Sequence, residues 1–187
     1  IAFDQIVTCA AKMHYRIGWA VPLVVRCPNG GGVGGGPYHS ENVEAWFHHH
    51  AGLKIVCPAT ADDAYGLLRA SIQDPNPVVF VECKTLYFRK EEVPDELQAV
   101  PIGEAAVLRE GRDVTIVALS RLVHDALAAA ERLAAEDGIE AEVIDPRTLV
   151  PFDDETVVGS VRKTAKAMVV HEAPKTGGAG AEIVARL

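Results

Sequence analysis

Residues 78–81, Val-Val-Phe-Val, extend from Pro77 to Glu82 as a near-continuous apolar run, with Asp74-Pro-Asn76 ahead of it. A run without polar alternation suits a strand buried on both faces, and such strands belong to parallel sheets with helices above and below. The neighbouring segments agree. A helix is expected from about Ala2 to Tyr15, yielding at Gly18, followed by a strand over Val21–Cys27 closed by the turn residues Pro28-Asn29-Gly30. Leu53–Cys57 is a further strand. Thr60 is an expected helix N-cap with Asp62 and Asp63 in the first turn, and the helix should turn Ala64, Leu67, Leu68 and Ile72 inward. Ser40 is an expected cap for a short helix over residues 43–47.

The charged stretch Arg89–Glu96, with Pro94 inside it, reads as a linker. Beyond it the alternation restarts: a strand over Asp113–Leu119, an Ala-rich helix over His124–Glu136 stopped by Gly138, and a strand over Ile139–Ile144. A helix from about Asp153 to Thr164, a strand over Ala167–His171 and a glycine loop leading into a last helix complete the pattern. The expectation is an α/β chain of two parallel-sheet domains, residues 1–100 with the linker and residues 101–187. The βαβ unit of the second should be right-handed. Ile1 opens on a helical pattern already in progress and Leu187 closes on one, so both ends look cut from a longer chain.

The formal net charge of −8 and a pI near 5.3 leave no continuous basic face for nucleic acid. No apolar run approaches the ~20 residues a membrane helix needs. Cys9, Cys27, Cys57 and Cys83 form no CxxC pair and read as free, mostly core thiols.

Gly30, Gly32 and Gly35 satisfy GxGxxG after a strand, but six glycines in seven residues satisfy almost any such spacing. Pro37-Tyr38 follows in place of a packed helix, and no acidic residue ends the next strand, so nicotinamide binding is the weaker reading. The loop suits a close approach of backbone to a ligand or another chain. His39, just past the glycines and flanked by Tyr38 and Ser40, is either a proton-transfer group at the ligand edge of the sheet or a surface histidine beside a helix start. His48-His-His50 points its rings in different directions and reads as an exposed helix end, not a metal site. His171-Glu172 is either catalytic or a satisfied structural pair, with the second reading preferred. Asp145-Pro-Arg147 either clamps an anion or holds a loop.

Taken in order, Arg26-Cys-Pro-Asn-Gly30, Tyr38-His-Ser40, Gly52-Leu-Lys-Ile-Val56, Gly66-Leu-Leu68, Asp74-Pro-Asn-Pro77, Glu142-Val-Ile-Asp-Pro-Arg-Thr-Leu149 and His171-Glu-Ala-Pro-Lys-Thr-Gly-Gly178 resemble the β subunit of 2-oxo acid dehydrogenases, the E1 component. The likeness runs over essentially the whole chain. The His-Glu-Ala-Pro and Tyr-His-Ser forms look closer to the branched-chain than to the pyruvate type, with acetoin-cleaving relatives similar.

The resemblance implies a partial thiamine-diphosphate pyrimidine-binding domain followed by a transketolase C-terminal domain. It implies an E1 α subunit as partner in an α2β2 heterotetramer, with that subunit holding the diphosphate through Mg2+ and this one the aminopyrimidine. The reaction implied is oxidative decarboxylation of a 2-oxo acid, with acyl transfer to a lipoyl group on the E2 core. His39 matches the family's active-site histidine, with Tyr38 beside it at the cofactor. A structural K+ held by main-chain carbonyls would fall to Val21, Leu23, Val24, Ser71, Asp74 and Asn76. Here Val21 and Val24 stand where the family often has glycine and threonine, which spares carbonyl ligands but not a hydroxyl. The family's ring-bonding glutamate would lie upstream of Ile1, so these residues alone are expected to be inactive. The implied location is the cytoplasm of a bacterium or the mitochondrial matrix of a eukaryote. A related carboligase or a non-catalytic β-type scaffold are the alternatives.

Overall fold

The computed structural model describes residues 1–187 and holds two four-stranded sheets. The first is built on β1 (Val24–Asn29), β2 (Lys54–Val56) and β3 (Val78–Cys83), with β3 between the other two and parallel to both. Every residue of β3 is buried, as the apolar run requires. The fourth strand, β7 (Thr148–Val150), comes from beyond the linker and pairs antiparallel with β2. The second sheet has the order β4 (Ala106–Arg109), β6 (Ala141–Asp145), β5 (Val114–Ala118), β8 (Ala167–Val170). Its last three strands are parallel, while β4 is antiparallel to β6. Each sheet is therefore parallel at heart with one antiparallel edge strand, which the sequence reading did not include.

Several boundaries move for identifiable reasons. The first helix region runs as α1 (Ala2–Asp4), a π-helical turn over Gln5–Ala10 and α2 (Ala11–Ile17), ending on the left-handed Gly18. β1 starts later than expected and runs through Pro28 and Asn29. It pairs only with β3, and an edge strand tolerates a residue without an N–H. Ser40 does not cap α3 (Glu44–His48); its hydroxyl donates instead to the Gly36 carbonyl at 2.7 Å.

Thr60 does cap α4 (Ala61–Gln73), accepting from the Asp63 N–H at 3.1 Å, and the Glu91 carboxylate accepts from the Ala61 N–H at 2.8 Å. The inner face of α4 is Asp63, Gly66, Leu67 and Ser71, with Ile72 65% exposed, a correction to the expected stripe. Ser71 tolerates burial because its hydroxyl donates to the Leu67 carbonyl. α5 (Leu122–Asp137) buries Val123, Ala126 and Ala130 and ends on left-handed Gly138. α6 (Asp154–Thr164) starts on an Asp153 cap, and α7 (Ala179–Arg186) follows the last glycine loop.

The core ignores the linker. One cluster joins Phe47, Ile55, Val79 and Val81 from the first part to Val117, Leu119, Ile144, Leu149 and Ile183 from the second. A buried polar knot closes the same junction. Arg147, itself in a left-handed conformation (φ 57°), pairs its Nη2 with Asp63 Oδ1 at 2.8 Å. Its N–H donates to Asp145 Oδ1 and its carbonyl accepts from Cys57 N–H, both at 2.8 Å. Asp145-Pro-Arg147 thus holds a loop across the two sheets. Burial, reinforced by the Asp63 charge, pushes the Asp145 carboxyl up to about 7 from an ordinary 3.8, against the pull of the Arg147 N–H and guanidinium.

Two outcomes follow for stability. A Cβ at Gly66 would stand 2.4 Å from Val100 Cγ2 and 2.8 Å from the Gln98 carbonyl of the linker. Gly→Ala inside a helix ordinarily stabilises by about 1 kcal/mol. Gly66→Ala should instead destabilise by about 1–3 kcal/mol through overpacking, and denaturant melting gives the sign. For Asp145, the folded state binds the proton more tightly than the unfolded one. Its stabilising contribution is complete below about pH 3.8 and is lost as pH rises to about 7. Asp145→Asn should therefore gain stability relative to wild type across that window, by up to about 4 kcal/mol, and a gap independent of pH would refute the assignment.

Candidate functional site

The loop between β1 and α3 carries the sequence-predicted centre. It leaves β1 at Gly30 (φ 81°), where a Cβ would stand 3.1 Å from Cys83 Sγ and 3.2 Å from Glu172 Oε2. The Gly30 N–H donates to the Glu41 carbonyl at 3.0 Å, which ties the two stems together. A Cβ at Gly35 would lie 2.8 Å from His39 Cβ. Glycine is thus needed where the backbone crosses beneath the C-terminal half and again where the loop folds onto its own histidine. After Gly36 the chain makes a 3-10 turn over Pro37–His39 and no packed helix, so the dinucleotide reading of the glycines finds no support.

Tyr38 is 88% exposed and His39 is exposed beside it on the outer side of this turn. Nothing lies within 4 Å of a Cβ built at Gly34 or Gly36, so that face of the loop is open. The structure therefore presents an aromatic ring and an imidazole together at the carboxyl end of β1, held by a loop whose base is tightly bonded. An exposed aromatic ring offers a face for stacking, and an exposed imidazole can exchange protons with a bound group.

Beneath the loop the stems are clamped by Asn29, whose amide donates to Glu44 Oε2 at 3.3 Å. Both residues are 5% exposed. Burial raises the Glu44 carboxyl above its ordinary value, opposed by hydrogen bonds from its own backbone and Asn29, with the Glu172 charge adding to the rise. Glu172, on the other side, pairs with Arg121 at 3.0 Å and lies 3.9 Å from Cys83 Sγ. His171 packs its ring against Gly178 and Gly180 and leaves Nδ1 buried with no partner. His171 and Glu172 are therefore not the satisfied pair expected from sequence. Glu172 meets Arg121 and Cys83, while His171 meets the glycines of the last loop.

Of the remaining histidines, His14 is exposed, and the others sit against neighbouring backbone or rings or in partial burial. His50 Nδ1 lies 2.8 Å from the Trp46 carbonyl and stacks edge-on with His49, while burial lowers His48. His124 Nε2 lies 2.8 Å from the Ala59 carbonyl. No group of three His, Cys, Asp or Glu side chains is placed to hold a metal ion.

The residues named for K+ lie on two neighbouring segments, one where β1 begins and one where α4 ends. Val21 N–H donates to the Pro75 carbonyl at 2.9 Å, Val78 N–H to the Leu23 carbonyl at 2.8 Å, and Asp74 N–H to the Ser71 carbonyl at 3.4 Å. The Lys54 ammonium sits on Asp74 Oδ2, and Asn76 donates to Oδ1. Against a burial penalty that would raise it, these contacts hold the Asp74 carboxyl below its ordinary value.

Sequence reasoning missed a second polar assembly. Glu82, on β3, accepts from the Arg26 guanidinium of β1 and from the Tyr87 hydroxyl. Burial, then the bond to Glu82, pushes the Tyr87 hydroxyl up to about 12. The group borders a cavity of about 270 Å3 lined by Ala64, Leu68, Phe80 and Leu86. The available signal was one arginine and one glutamate inside otherwise apolar strands.

Residues 1–90 match the transketolase pyrimidine-binding domain and residues 103–187 the transketolase C-terminal domain. The chain is 48% identical over 187 residues to the 2-oxoisovalerate dehydrogenase subunit beta of Bacillus subtilis (strain 168), covering 98% of this chain and 57% of that protein. It is 46% identical over 185 residues to the pyruvate dehydrogenase E1 component subunit beta of Acholeplasma laidlawii, covering 97% and 56%. The chain thus spans about half the length of the curated relatives it matches. Among solved structures, a split gene transketolase described as an inactive beta4 tetramer aligns with a TM-score of 0.74 at 28% identity, covering 99% of this chain and 61% of that one. With both domains matched in order over nearly the whole chain, it belongs to the transketolase-like family and is similar along its length to the E1 β subunits of 2-oxo acid dehydrogenases.

Proposed function

We propose that this chain supplies one half of the active site of a thiamine-diphosphate-dependent 2-oxo acid dehydrogenase (E1) that oxidatively decarboxylates a branched-chain 2-oxo acid. In this reading an E1 α subunit completes an α2β2 heterotetramer and holds Mg2+ and the diphosphate, and the acyl group leaves to a lipoyl group of the E2 core. The observation that carries the proposal is the paired exposure of Tyr38 and His39 on an open loop face whose base is locked. The cofactor, when bound, supplies a carbon nucleophile and an electron sink.

The chain's own contribution is positional and acid–base. Tyr38 presents a ring face against the aminopyrimidine. His39 gives and takes the proton at its imidazole nitrogens as the acyl group passes on, the task for which histidine suits neutral pH. The Gly36 carbonyl, held by Ser40 Oγ, keeps the turn that carries both residues in one conformation. A pyruvate-type substrate is the second reading, favoured by a near-equal 46% identity to the pyruvate relative. The location proposed is the cytoplasm in a bacterium or the mitochondrial matrix in a eukaryote; no helix is long and apolar enough to cross a membrane.

A structural K+ is proposed at the carbonyls of Val21, Leu23, Val24, Ser71, Asp74 and Asn76. Several of these carbonyls already accept one hydrogen bond, and each oxygen keeps a second lone pair for an ion. The Asp74 carboxylate is engaged by Lys54 and Asn76, so the ion would rest on main-chain oxygen.

The test uses the full-length parent with its α subunit, thiamine diphosphate and Mg2+, offered branched and unbranched 2-oxo acids. Cofactor-dependent decarboxylation with an artificial acceptor is expected, fastest on branched substrates. His39→Ala should lower acyl transfer to lipoyl-E2 by about 10²–10⁴-fold, more than it lowers decarboxylation. A stable αβ complex inert toward every 2-oxo acid would overturn the reading in favour of a carboligase or a scaffold. Separately, replacing K+ by choline should lower the melting temperature of the assembly, and an unchanged melting curve would remove the K+ site.

A further inference from the structure

Directly beneath the glycine loop, where the two sheets meet, lies a chamber of about 20 Å3. Asn29, Asn42 and Glu44 line it from the loop stems, and Ser120, His171 and Glu172 from the C-terminal half. A water needs about 10–15 Å3 measured this way, so the chamber has room for one.

Two buried atoms of this lining have no hydrogen-bond partner within the protein, Asn29 Oδ1 and His171 Nδ1. Their chemistry is matched. The Asn29 amide nitrogen already donates to Glu44, which fixes the amide's orientation and turns Oδ1 to the remaining space as an acceptor. Burial lowers His171, which favours the neutral ring, and a neutral imidazole keeps one nitrogen as an acceptor. Leaving a buried acceptor without a donor costs about 1–3 kcal/mol. One water has two hydrogens to give. The Asn42 amide stands in the same wall as a donor for its oxygen, while the Ser120 hydroxyl donates its proton to the Pro58 carbonyl at 3.4 Å.

A cation suits the chamber less well. Glu172 is neutralised by Arg121 at 3.0 Å, and burial raises Glu44 toward its neutral form. Two unpartnered acceptors on one small space are the pattern that the two hydrogens of a water satisfy.

We propose that this chamber is a built site for one water, which donates to Asn29 Oδ1 and His171 Nδ1 and thereby bonds the stem of the His39 loop to the C-terminal half. His171 is then a positioning residue for His39, a consequence that rests on the function proposed above. The water itself does not rest on it.

The two claims are separable in one set of experiments on the full-length parent assembled with its α subunit. A high-resolution crystal structure should show a water within hydrogen-bond distance of both atoms. A dry chamber, an ion, or both atoms bonded to protein groups would overturn the site whatever the enzyme turns over. His171→Phe keeps a ring against Gly178 and Gly180 but removes the acceptor; His171→Asn returns an acceptor near the Nδ1 position. The Phe variant should lose the water and lower acyl transfer to lipoyl-E2 several-fold, with the KM for the 2-oxo acid and decarboxylation with an artificial acceptor little changed. The Asn variant should recover most of the transfer rate. Equal losses in the two steps, or no recovery in the Asn variant, would reject the positioning role. If the Phe variant fails to assemble, Asn29→Ala, which deletes the other acceptor, takes its place with the same readouts.

Discussion

Everything in this chain leans on β3 being covered on both faces. One face of its valines enters the large core shared by the two sheets, and the other, with Val78 and Phe80, packs under α4. A strand so placed is parallel to both neighbours, and parallel pairing sends the chain back across the sheet each time. That return puts the loop after β1 and the 3-10 turn after β3 at the same sheet edge. Cys83 closes β3 against Gly30, and Gly32 approaches Thr85. The position of Tyr38 and His39 is thus a consequence of how one apolar run is buried.

The parallel strands and the long helices were legible because their signals are long or locally chemical. The β3 run, the Thr60 cap and the Gly138 stop all appear where physical chemistry puts them. What escaped was short or depended on distant partners. β7 is three residues and β4 four, too brief to show a period, and each exists because another strand offers an unpaired edge. Pro28 reads as a turn in isolation and is strand because β1 is an edge. Ile72 reads as core by spacing, yet the close approach of the linker to Gly66 sets a different face of α4 inward.

The site divides along the same line. His39 stands out in the sequence as a candidate because a loop after glycines at a strand end is where ligands meet such sheets, and Tyr38 enters as a cofactor neighbour only through the family resemblance. The polar interior could not. Asn29, Glu44, His171 and Glu172 are brought together across some 140 residues, and no spacing rule connects them. His171 and Glu172 are adjacent in sequence, which favoured reading them as a pair. Each nevertheless finds its own neighbours, Glu172 beside Arg121 and His171 against the glycines of the last loop.

The junction between the halves is dense in buried polar groups: Asp63, Asp145 and Arg147 at one place, Asn29, Glu44 and His171 at another. Apolar residues of similar volume would serve stability as well, since desolvating charges offsets much of their attraction. Their advantage is directional. The cluster of Phe47, Ile55, Val117 and Leu149 holds the two sheets together but tolerates small sliding between them. The Cys57 N–H bond to the Arg147 carbonyl, which crosses between them, does not, and the Asn29 amide bond to Glu44 gives the same direction within the first half. The first fixes how the strand that completes the N-terminal sheet leaves the C-terminal one, and the second fixes the stems of the loop above. A histidine on a loop acts at a defined point only if its base is held by contacts with direction, and in this fold those contacts lie at the seam between the two domains.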